Sequence, residues 1–305
     1  EQATPGVLVR YVYADSPAAT AGVQIGDRII ALGPTDIKDA AALAEALAAT
    51  QPGQQVAIKI RRDNNEQTMQ ATLGVQPLTV PAELPRAHAE LAVAENRPAI
   101  GTIEIKLPEE KNSAVGYIPT NYHPKVAQGL LLMLCEPGKF DRDEVIGRYK
   151  SLCEQHALIL ILARPTNGMS WDAGDVAFLR KTMDDVIAHY NVDRNRIAVG
   201  GYQSSGTMAY FTAFTNSDLI RAVIAIEAVL PQRLKPPENE PAKRWSIYTA
   251  LATRSPQRSG IEANLKSLQA MKYPVVVHST GQDARDLTTD ELKEVGRWLD
   301  SLDRL

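Results

Sequence analysis

Cysteine and histidine are scarce in this sequence. Its 305 residues include two cysteines, Cys135 and Cys153, and five histidines. Two cysteines exclude a disulfide-rich scaffold and a cysteine-rich zinc site, and we expect both to be buried free thiols. The histidines are scattered, and no two of them form an HExxH or His-x-His pair. The sequence therefore predicts neither a metal site nor a cofactor.

A charge excess and a long apolar run are also missing. The net charge of −3 offers no basic surface for nucleic acid. No stretch of about 18 consecutive apolar residues occurs, so no membrane span is predicted. Hydrophobic residues at 44% and charged residues at 23% are typical of globular proteins. The length suffices for one large domain or two ordinary ones.

The first quarter of the chain contains a compact series of strand and helix signals. The alternating stretch at residues 7–13 predicts a strand, and "SPAATAG" predicts a short helix that ends at Gly22. Asp39 is placed to cap the helix "AAALAEALAAT", whose apolar residues share one face. "VAIKIRR" and "QTMQATL", joined by the polar turn "DNN", predict a hairpin.

This segment resembles the PDZ domain of the HtrA-type bacterial proteases. The resemblance covers residues 6–76 and depends on "SPAATAGVQIGDRII", the following helix and the closing hairpin. It implies an extracytoplasmic protein, either periplasmic or secreted. It also implies a groove that captures a peptide by β-augmentation.

The groove is expected to be truncated. In that family the carboxylate-binding loop and the peptide-pairing strand precede the segment matching Gly6 and Val7. Only five residues precede Gly6 here, so we expect the helix over residues 39–50 to lack its strand partner. The sequence favours a packing role for this domain over binding of a protein or peptide partner by this chain alone.

Prolines separate this segment from the rest of the chain. They occur at Pro77, Pro81, Pro85 and Pro98 and predict an extended linker with at most a short helix at "AHAELAVAE". The predicted domains are a PDZ-like domain at residues 1–78, a linker at residues 79–101 and a second domain at residues 102–305.

The second domain alternates strands and helices. "TIEIKL" and "AVGYIPT" predict an antiparallel pair, and the apolar runs "GLLLML" and "LILILA" are typical of strands buried on both faces. The last helix, in "TTDELKEVGRWLDSL", begins with a capping box of Thr288 and Glu291. The predicted fold class is α/β, a mostly parallel sheet with helices on both faces, preceded by a small α+β domain.

The stretch "YNVDRNRIAVGGYQSSGTMA" is similar to α/β-hydrolases of the polyhydroxybutyrate depolymerase and feruloyl esterase family. That family has Gly-x-Ser-x-Gly-Gly here, and the resemblance places Gln203 at the position of the nucleophile. The sharp turn at a nucleophile requires small residues two positions to either side. Gly201 and Ser205 flank Gln203, whereas Tyr202 would flank Ser204. Glutamine cannot form an acyl-enzyme, so we interpret Gln203 as a degenerate nucleophile.

The other catalytic groups implied by the resemblance are missing from their expected loops. The acid is expected after "WSIYTALA", where "TRSPQ" holds no carboxylate. The histidine is expected after "PVVVHST", where "GQDARD" holds none, and His278 lies within the strand. In the oxyanion loop, Pro137 lacks an N–H and the charge of Glu136 opposes an oxyanion.

The sequence therefore predicts a non-catalytic interaction or regulatory protein, a pseudoenzyme built from a PDZ-like module and a degenerate hydrolase. Ligands of α/β sheets bind at the carboxyl ends of the strands. The candidate ligand contacts there are Gln203, Tyr202, Glu136 and Trp171.

Two alternatives stay open. In the first, the chain is an active serine hydrolase that uses Ser204, with His278 as base and an unassigned acid. In the second, the chain is the C-terminal part of a larger HtrA-like serine protease whose catalytic domain lies upstream.

Overall fold

Two separate β-sheets organise the described part of the chain. The computed structural model describes residues 5–75, 77, 79–81, 98–110, 112–138, 140–240 and 243–304. One sheet lies in the first 75 residues and has five strands; the other lies beyond residue 100 and has eight. The predicted linker helix "AHAELAVAE" lies outside the described residues.

The first sheet is antiparallel. Its strands are β1 (Val7–Leu8), β2 (Arg28–Leu32), β3 (Thr35–Asp36), β4 (Gln55–Arg62) and β5 (Asn65–Thr72). They lie in the order β1-β2-β4-β5, and β3 pairs with β2. The predicted hairpin is confirmed as β4 and β5. The prediction of a strand over residues 7–13 was wrong beyond Leu8. Val9 still exchanges backbone hydrogen bonds with Gly26 and Asp27, but residues 10–13 form no strand, and the Arg10 side chain binds Asp300.

Two helices accompany this sheet, α1 (Pro17–Ala21) and α2 (Ala40–Ala48). The hydroxyl of Ser16 caps α1, and Gly22 ends it with a φ of 89°. The carboxylate of Asp39 accepts a hydrogen bond from the Ala42 N–H at the start of α2. These caps confirm both predicted helices, because each satisfies N–H groups that have no partner within the helix.

The second sheet is mostly parallel. Its strands are β6 (Gly101–Lys106), β7 (Ser113–Ile118), β8 (Gln128–Leu134), β9 (Leu158–Ala163), β10 (Val192–Tyr202), β11 (Ala222–Ile226), β12 (Ser246–Leu251) and β13 (Val275–Ser279). They lie in the order β13-β12-β11-β10-β8-β9-β7-β6. The β6–β7 and β7–β9 pairs are antiparallel and the others are parallel, which confirms the predicted fold class.

Helices cover both faces of the second sheet. They are α3 (Arg142–His156), α4 (Asp175–His189), α5 (Ser204–Thr215), α6 (Arg258–Ala270) and α7 (Thr289–Asp300). One apolar core contains side chains of α4 and α5, and the other contains side chains of α3 and α7. The predicted capping box of Thr288 and Glu291 is confirmed at α7. No helix of the described residues is long and apolar enough to cross a membrane.

A largely buried ionic network joins the segment after β1 to α7 and β10. The Arg10 guanidinium lies 3.0 Å from carboxylate oxygens of both Asp300 and Asp303. The Asp300 carboxylate also accepts from Arg196 at 2.6 Å and contacts His156 at 2.7 Å. Burial raises the pKa of Asp300, but Arg196, His156 and Arg10 outweigh it, so that the pKa lies below its usual value.

The beginning of the predicted linker packs on the second domain. Val80 contacts the core between α3 and α7, and the Pro81 carbonyl accepts a hydrogen bond of 2.8 Å from Arg297 Nε. Cys135 and Cys153 are both free thiols, as predicted. The prediction that both are buried was wrong for Cys135, which follows the end of β8 and is only partly buried. Cys153 is fully buried, and burial raises the pKa of both.

Candidate functional site

A sharp turn between β10 and α5 forms the centre of the candidate site. Gln203 is its only residue, with φ 48° and ψ −114°, a backbone conformation that is unfavourable for residues with a side chain. Its N–H donates to the Ile226 carbonyl at 2.8 Å and its carbonyl accepts from the Thr207 N–H at 2.9 Å. Such strain persists only where the surrounding structure fixes it, and it is concentrated at functional sites.

The turn leaves no room for side chains at two nearby glycines. A Cβ at Gly201 would lie 2.5 Å from the backbone carbon of Ser205, and a Cβ at Gly206 would lie 2.5 Å from the Cβ of Ala228. These distances are far below van der Waals contact, so the chain needs small residues on both sides of Gln203. On the Gly201 side this geometry agrees with the requirement used to place the turn from the sequence; on the other side the tight glycine is three residues after Gln203, not two.

Gly201→Ala is expected to lower the free energy of unfolding by ~1–3 kcal/mol, because the new methyl group would overlap the backbone. Gly147→Ala is the matched control. Gly147 is exposed on α3 and its added Cβ would meet nothing within 4 Å, so this variant should gain ~0.5–1 kcal/mol in helix propensity. Urea denaturation measures both. Equal stability in the two variants would contradict a tight turn.

The two serines after Gln203 have different surroundings. Ser204 is exposed and is the first residue of α5. Ser205 is buried; its hydroxyl donates to the Cys135 carbonyl at 3.1 Å and accepts from Trp171 Nε1 at 2.9 Å. Because the indole N–H of Trp171 is used in this way, only the face of its ring is left for a ligand.

Gln203 and Tyr202 lie at the carboxyl end of β10. The exposed Gln203 amide donates from Nε2 to the Tyr202 hydroxyl at 3.0 Å. The parallel register pairs Gly201 with the last residue of β8 and Tyr202 with the last residue of β11. Glu136 therefore follows β8 on one side of Tyr202, and Glu227 follows β11 on the other. The structure thus brings Gln203, Tyr202 and Glu136 to one edge of the sheet.

The electrostatic surroundings of this edge are acidic. Burial raises the pKa of Tyr202, and the carboxylates of Glu136, Glu227 and Asp286 raise it further. Burial and Asp286 also raise the pKa of Glu136. Asp286 is paired with Arg148 at 2.9 Å. An oxyanion that formed at this edge would face repulsion from Glu136 and Glu227.

Glu227 was not identified from the sequence. It directly follows the buried strand β11, has a φ of 50° and is 2% exposed. Its Oε1 accepts from the Ala252 N–H at 2.5 Å and lies 3.5 Å from the Thr280 hydroxyl. Its Oε2 is buried without a hydrogen-bond partner among the described residues. The sequence signal was a lone carboxylate that ends the apolar run "AVIAI".

The side chain of His278, on β13, contacts carboxylates of α7. Its Nε2 lies 3.1 Å from Glu291 Oε1, and its Nδ1 lies 3.4 Å from Glu294 Oε1. Its ring stacks on Tyr248 with centroids 6.2 Å apart. Both ring nitrogens therefore face α7, away from the strand ends.

The strand register also separates His278 from the turn. His278 is level with Tyr202, but β11 and β12 lie between their strands. Three steps of ~4.8 Å give a separation of ~14 Å, too far for a hydrogen bond to Gln203. The other described histidines, His123, His156 and His189, precede the starts of parallel strands at the opposite edge, and His88 lies outside the described residues.

Two cavities lie away from the turn. One of about 130 Å³ includes Trp245, Pro274 and Trp298, near the starts of β12 and β13. The other, of about 370 Å³, lies between α1, β5 and Arg304. Within the described residues, no group of three or more His, Cys, Asp or Glu side chains could hold a metal ion.

The first part of the chain is similar to PDZ domains. Residues 1–73 match the PDZ domain family. Serine endoprotease DegS of Escherichia coli (strain K12) is 32% identical over 74 residues, which form 24% of this chain and 21% of that protease. The chain thus matches about a fifth of the length of this relative, and the same holds for DegS of Escherichia coli O157:H7.

The second domain has the α/β-hydrolase fold. FphF, a fluorophosphonate-binding serine hydrolase of Staphylococcus aureus, matches with a TM-score of 0.50 and 10% identity over 69% of this chain and 100% of its own. The Francisella virulence factor BioJ matches with 0.52 and 14% over 69% and 86%. An esterase of Pyrobaculum calidifontis matches with 0.50 and 14% over 68% and 86%. At these identities the likeness shows the fold alone, which confirms the predicted resemblance.

Proposed function

We propose that this chain is a non-catalytic protein in which a PDZ domain is joined to an α/β-hydrolase domain that binds a ligand without converting it. The observation that carries the proposal is Gln203 on the strained turn after β10. This is the place of the nucleophile in α/β-hydrolases. An amide has no oxygen that a base could convert into a nucleophile, so no covalent intermediate forms there.

The surroundings of Gln203 support the proposal. No described histidine lies within hydrogen-bond reach, and His278 is engaged by α7. The turn strain and the small flanking residues are retained although the nucleophile is replaced. A fold that keeps a costly turn without its chemistry is consistent with a binding role for the cleft. Because one Gln203 N–H donates to Tyr202, the amide offers a ligand its carbonyl acceptor and its second N–H donor, beside Glu136 and the ring of Trp171.

The PDZ domain is the proposed route to a protein or peptide partner. The expectation that α2 lacks a strand partner stays a prediction, because residues 1–4 lie outside the described residues. Binding of a C-terminal peptide with micromolar affinity would contradict it. We also propose the domain limits of 1–78, 79–101 and 102–305 as working boundaries.

Two other functions have specific support. The fold shared with a fluorophosphonate-binding hydrolase and an esterase favours an active serine hydrolase, for which the exposed Ser204 is the candidate nucleophile. The match to a segment of DegS favours a chain that belongs to a larger HtrA-like protease. An upstream catalytic domain in the full reading frame would establish the latter.

A fluorophosphonate probe separates the proposed function from the active hydrolase. We expect no covalent labelling of the chain and no ester turnover above buffer, because Gln203 has no nucleophilic oxygen. Intact-protein mass spectrometry measures the label, with an active serine esterase as positive control. Labelling that is present in the wild-type chain and absent from Ser204→Ala would overturn the proposal.

A further inference from the structure

We propose that the edge strand β13 pairs with the same strand of a second copy of this chain, around a twofold axis at Val277, and that the chain forms a dimer through this contact. β13 is the outermost strand of the eight-stranded sheet. Pairing would join the sheets of the two copies into one continuous sheet. The contact does not depend on the proposed function, because β11 and β12 separate β13 from the Gln203 turn.

The outer edge of β13 has backbone groups that no other strand of the described residues uses. The Thr280 N–H donates to the Leu251 carbonyl of β12. Because alternate residues of a parallel strand bond to the same neighbour, the N–H and C=O groups of Val275, Val277 and Ser279 point away from β12. Unpaired edge groups of this kind are a template for another strand.

The side chains of this edge do not block pairing. Proteins usually protect an exposed edge with charged side chains, Lys above all, and the opposite edge strand β6 carries the exposed ion pair of Glu104 and Lys106. β13 reads Val-Val-Val-His-Ser instead, and Val277 is 55% exposed. His278 contacts carboxylates of α7, so the edge itself carries no protecting charge.

A twofold axis at Val277 uses all of the outward-facing groups. In the antiparallel pair, Val277 lies opposite Val277 of the second copy, and Val275 lies opposite Ser279. Each of these residues then exchanges both of its backbone hydrogen bonds with the residue opposite. Two β-branched side chains directly opposite each other also stabilise a strand pair. A twofold contact needs a surface that is complementary to itself, and this edge meets that requirement.

Helix α6 packs beside β13 and has a charged flank on the same side. Leu265 faces the sheet, in a cluster that includes Val275. The Asn264 side chain accepts a hydrogen bond from the Leu230 N–H, in the segment after β11. The flank of α6 that carries Asn264 therefore faces β11. With 3.6 residues per turn, residues 262 and 266 lie on the opposite flank, which is the β13 side.

The charges on this flank complement those of a twofold copy. Val277 is the middle residue of β13, and Glu262 and Lys266 are equally far from the middle of α6. The two copies of α6 run antiparallel across the axis, so Glu262 of each copy lies opposite Lys266 of the other. Glu262 is also paired with Arg258 in its own helix at 2.8 Å, and both Glu262 and Lys266 reach solvent. Like charges do not meet in this arrangement, which favours a second copy as the occupant of the edge.

Sedimentation velocity of the full chain at increasing protein concentration tests the dimer. A strand pair with its flanking helices is small for a protein interface, so we expect a reversible dimer with a dissociation constant in the micromolar range. Val277→Lys should raise this constant by about 30-fold or more, because like charges would meet at the axis. Thr102→Lys is the matched control, since it adds the same charge at an exposed position of the other edge strand; its constant should equal that of the wild type.

Charge reversal on α6 tests the position of the axis. Lys266→Glu should weaken the dimer by about three- to tenfold, because both symmetry-related contacts would then place two carboxylates opposite each other. The double variant Glu262→Lys, Lys266→Glu should restore the affinity to within about twofold of the wild type. A double variant as weak as Lys266→Glu alone would overturn the proposed axis.

Cross-linking tests the same contact without an added charge on the edge. A short bismaleimide should join two copies of the Val277→Cys variant and should not join copies of Thr102→Cys, while the wild type measures the background from Cys135 and Cys153. Circular dichroism checks the fold of every variant. A monomer at all concentrations, a dimer that Val277→Lys leaves unchanged, or equal cross-linking of the variants at positions 277 and 102 would overturn the inference.

Discussion

Asp300→Ala is expected to lower the free energy of unfolding by ~3–5 kcal/mol, because it leaves a buried cation without its partner. Arg196 and Asp300 are both fully buried, and their ion pair measures 2.6 Å. The same substitution also removes the carboxylate partner of His156 and one of the two carboxylate partners of Arg10, which keeps Asp303. Urea denaturation of the full chain measures the loss.

The matched control is Asp184→Ala, which breaks an exposed ion pair with Arg180 on α4. It should cost ~0–1 kcal/mol, because water screens exposed pairs. Arg10→Ala is a second variant, which removes only the Arg10 side chain from the network and leaves Arg196 paired with Asp300. We expect it to lower the free energy of unfolding by ~1.5–3 kcal/mol. Equal effects of Asp300→Ala and Asp184→Ala would contradict a central role for the network.

The same network makes stability depend on pH. The pKa of Asp300 in the folded chain lies below its usual value, so its contribution is fully present above the unfolded pKa of ~3.9. It is lost as the pH falls through the lower, folded value. The wild-type chain should therefore lose stability more steeply below pH ~4 than Asp300→Asn, which has no carboxylate to protonate there.

The sequence predicted the fold because its strongest signals are local. The continuous apolar runs of β8 and β9 and the caps Asp39 and Thr288 are readable over a few residues. Helix α6 was not predicted, although Ile261 and Leu265 anchor it in a small apolar cluster. The strand over residues 7–13 was overestimated. Contact with Asp300, about 290 residues away, redirects Arg10, and no local pattern reveals that contact.

The part of the candidate site that lies within one short stretch of sequence could be predicted. Gln203 and its small neighbours lie within five residues, so steric reasoning could place the turn. Glu227 was missed because its role depends on Ala252 and Thr280, which the sheet brings together from two later strands. The interpretation of Trp171 as a ligand contact also needed the structure, since its N–H is used by Ser205.

Gln203→Ser is expected to produce no ester hydrolysis above the buffer rate. The substitution restores a hydroxyl at the apex of the turn, but a serine hydroxyl needs a base to become nucleophilic. Both ring nitrogens of His278 face Glu291 and Glu294. Removing the serine or the histidine of an intact triad costs about as much as removing all three members, on the order of 10⁶-fold, so a restored serine without a histidine should contribute almost nothing.

A chromogenic acetate ester measures the rate, and the fluorophosphonate probe measures covalent capture. Gln67→Ser is the control, since it makes the same exchange at an exposed position on β5 of the PDZ domain. Both variants should hydrolyse the ester at the buffer rate. Turnover by Gln203→Ser that exceeds this control would mean that a base reaches the turn. Loss of that turnover in the double variant Gln203→Ser, His278→Ala would identify His278 as that base and contradict its separation from the turn by two intervening strands.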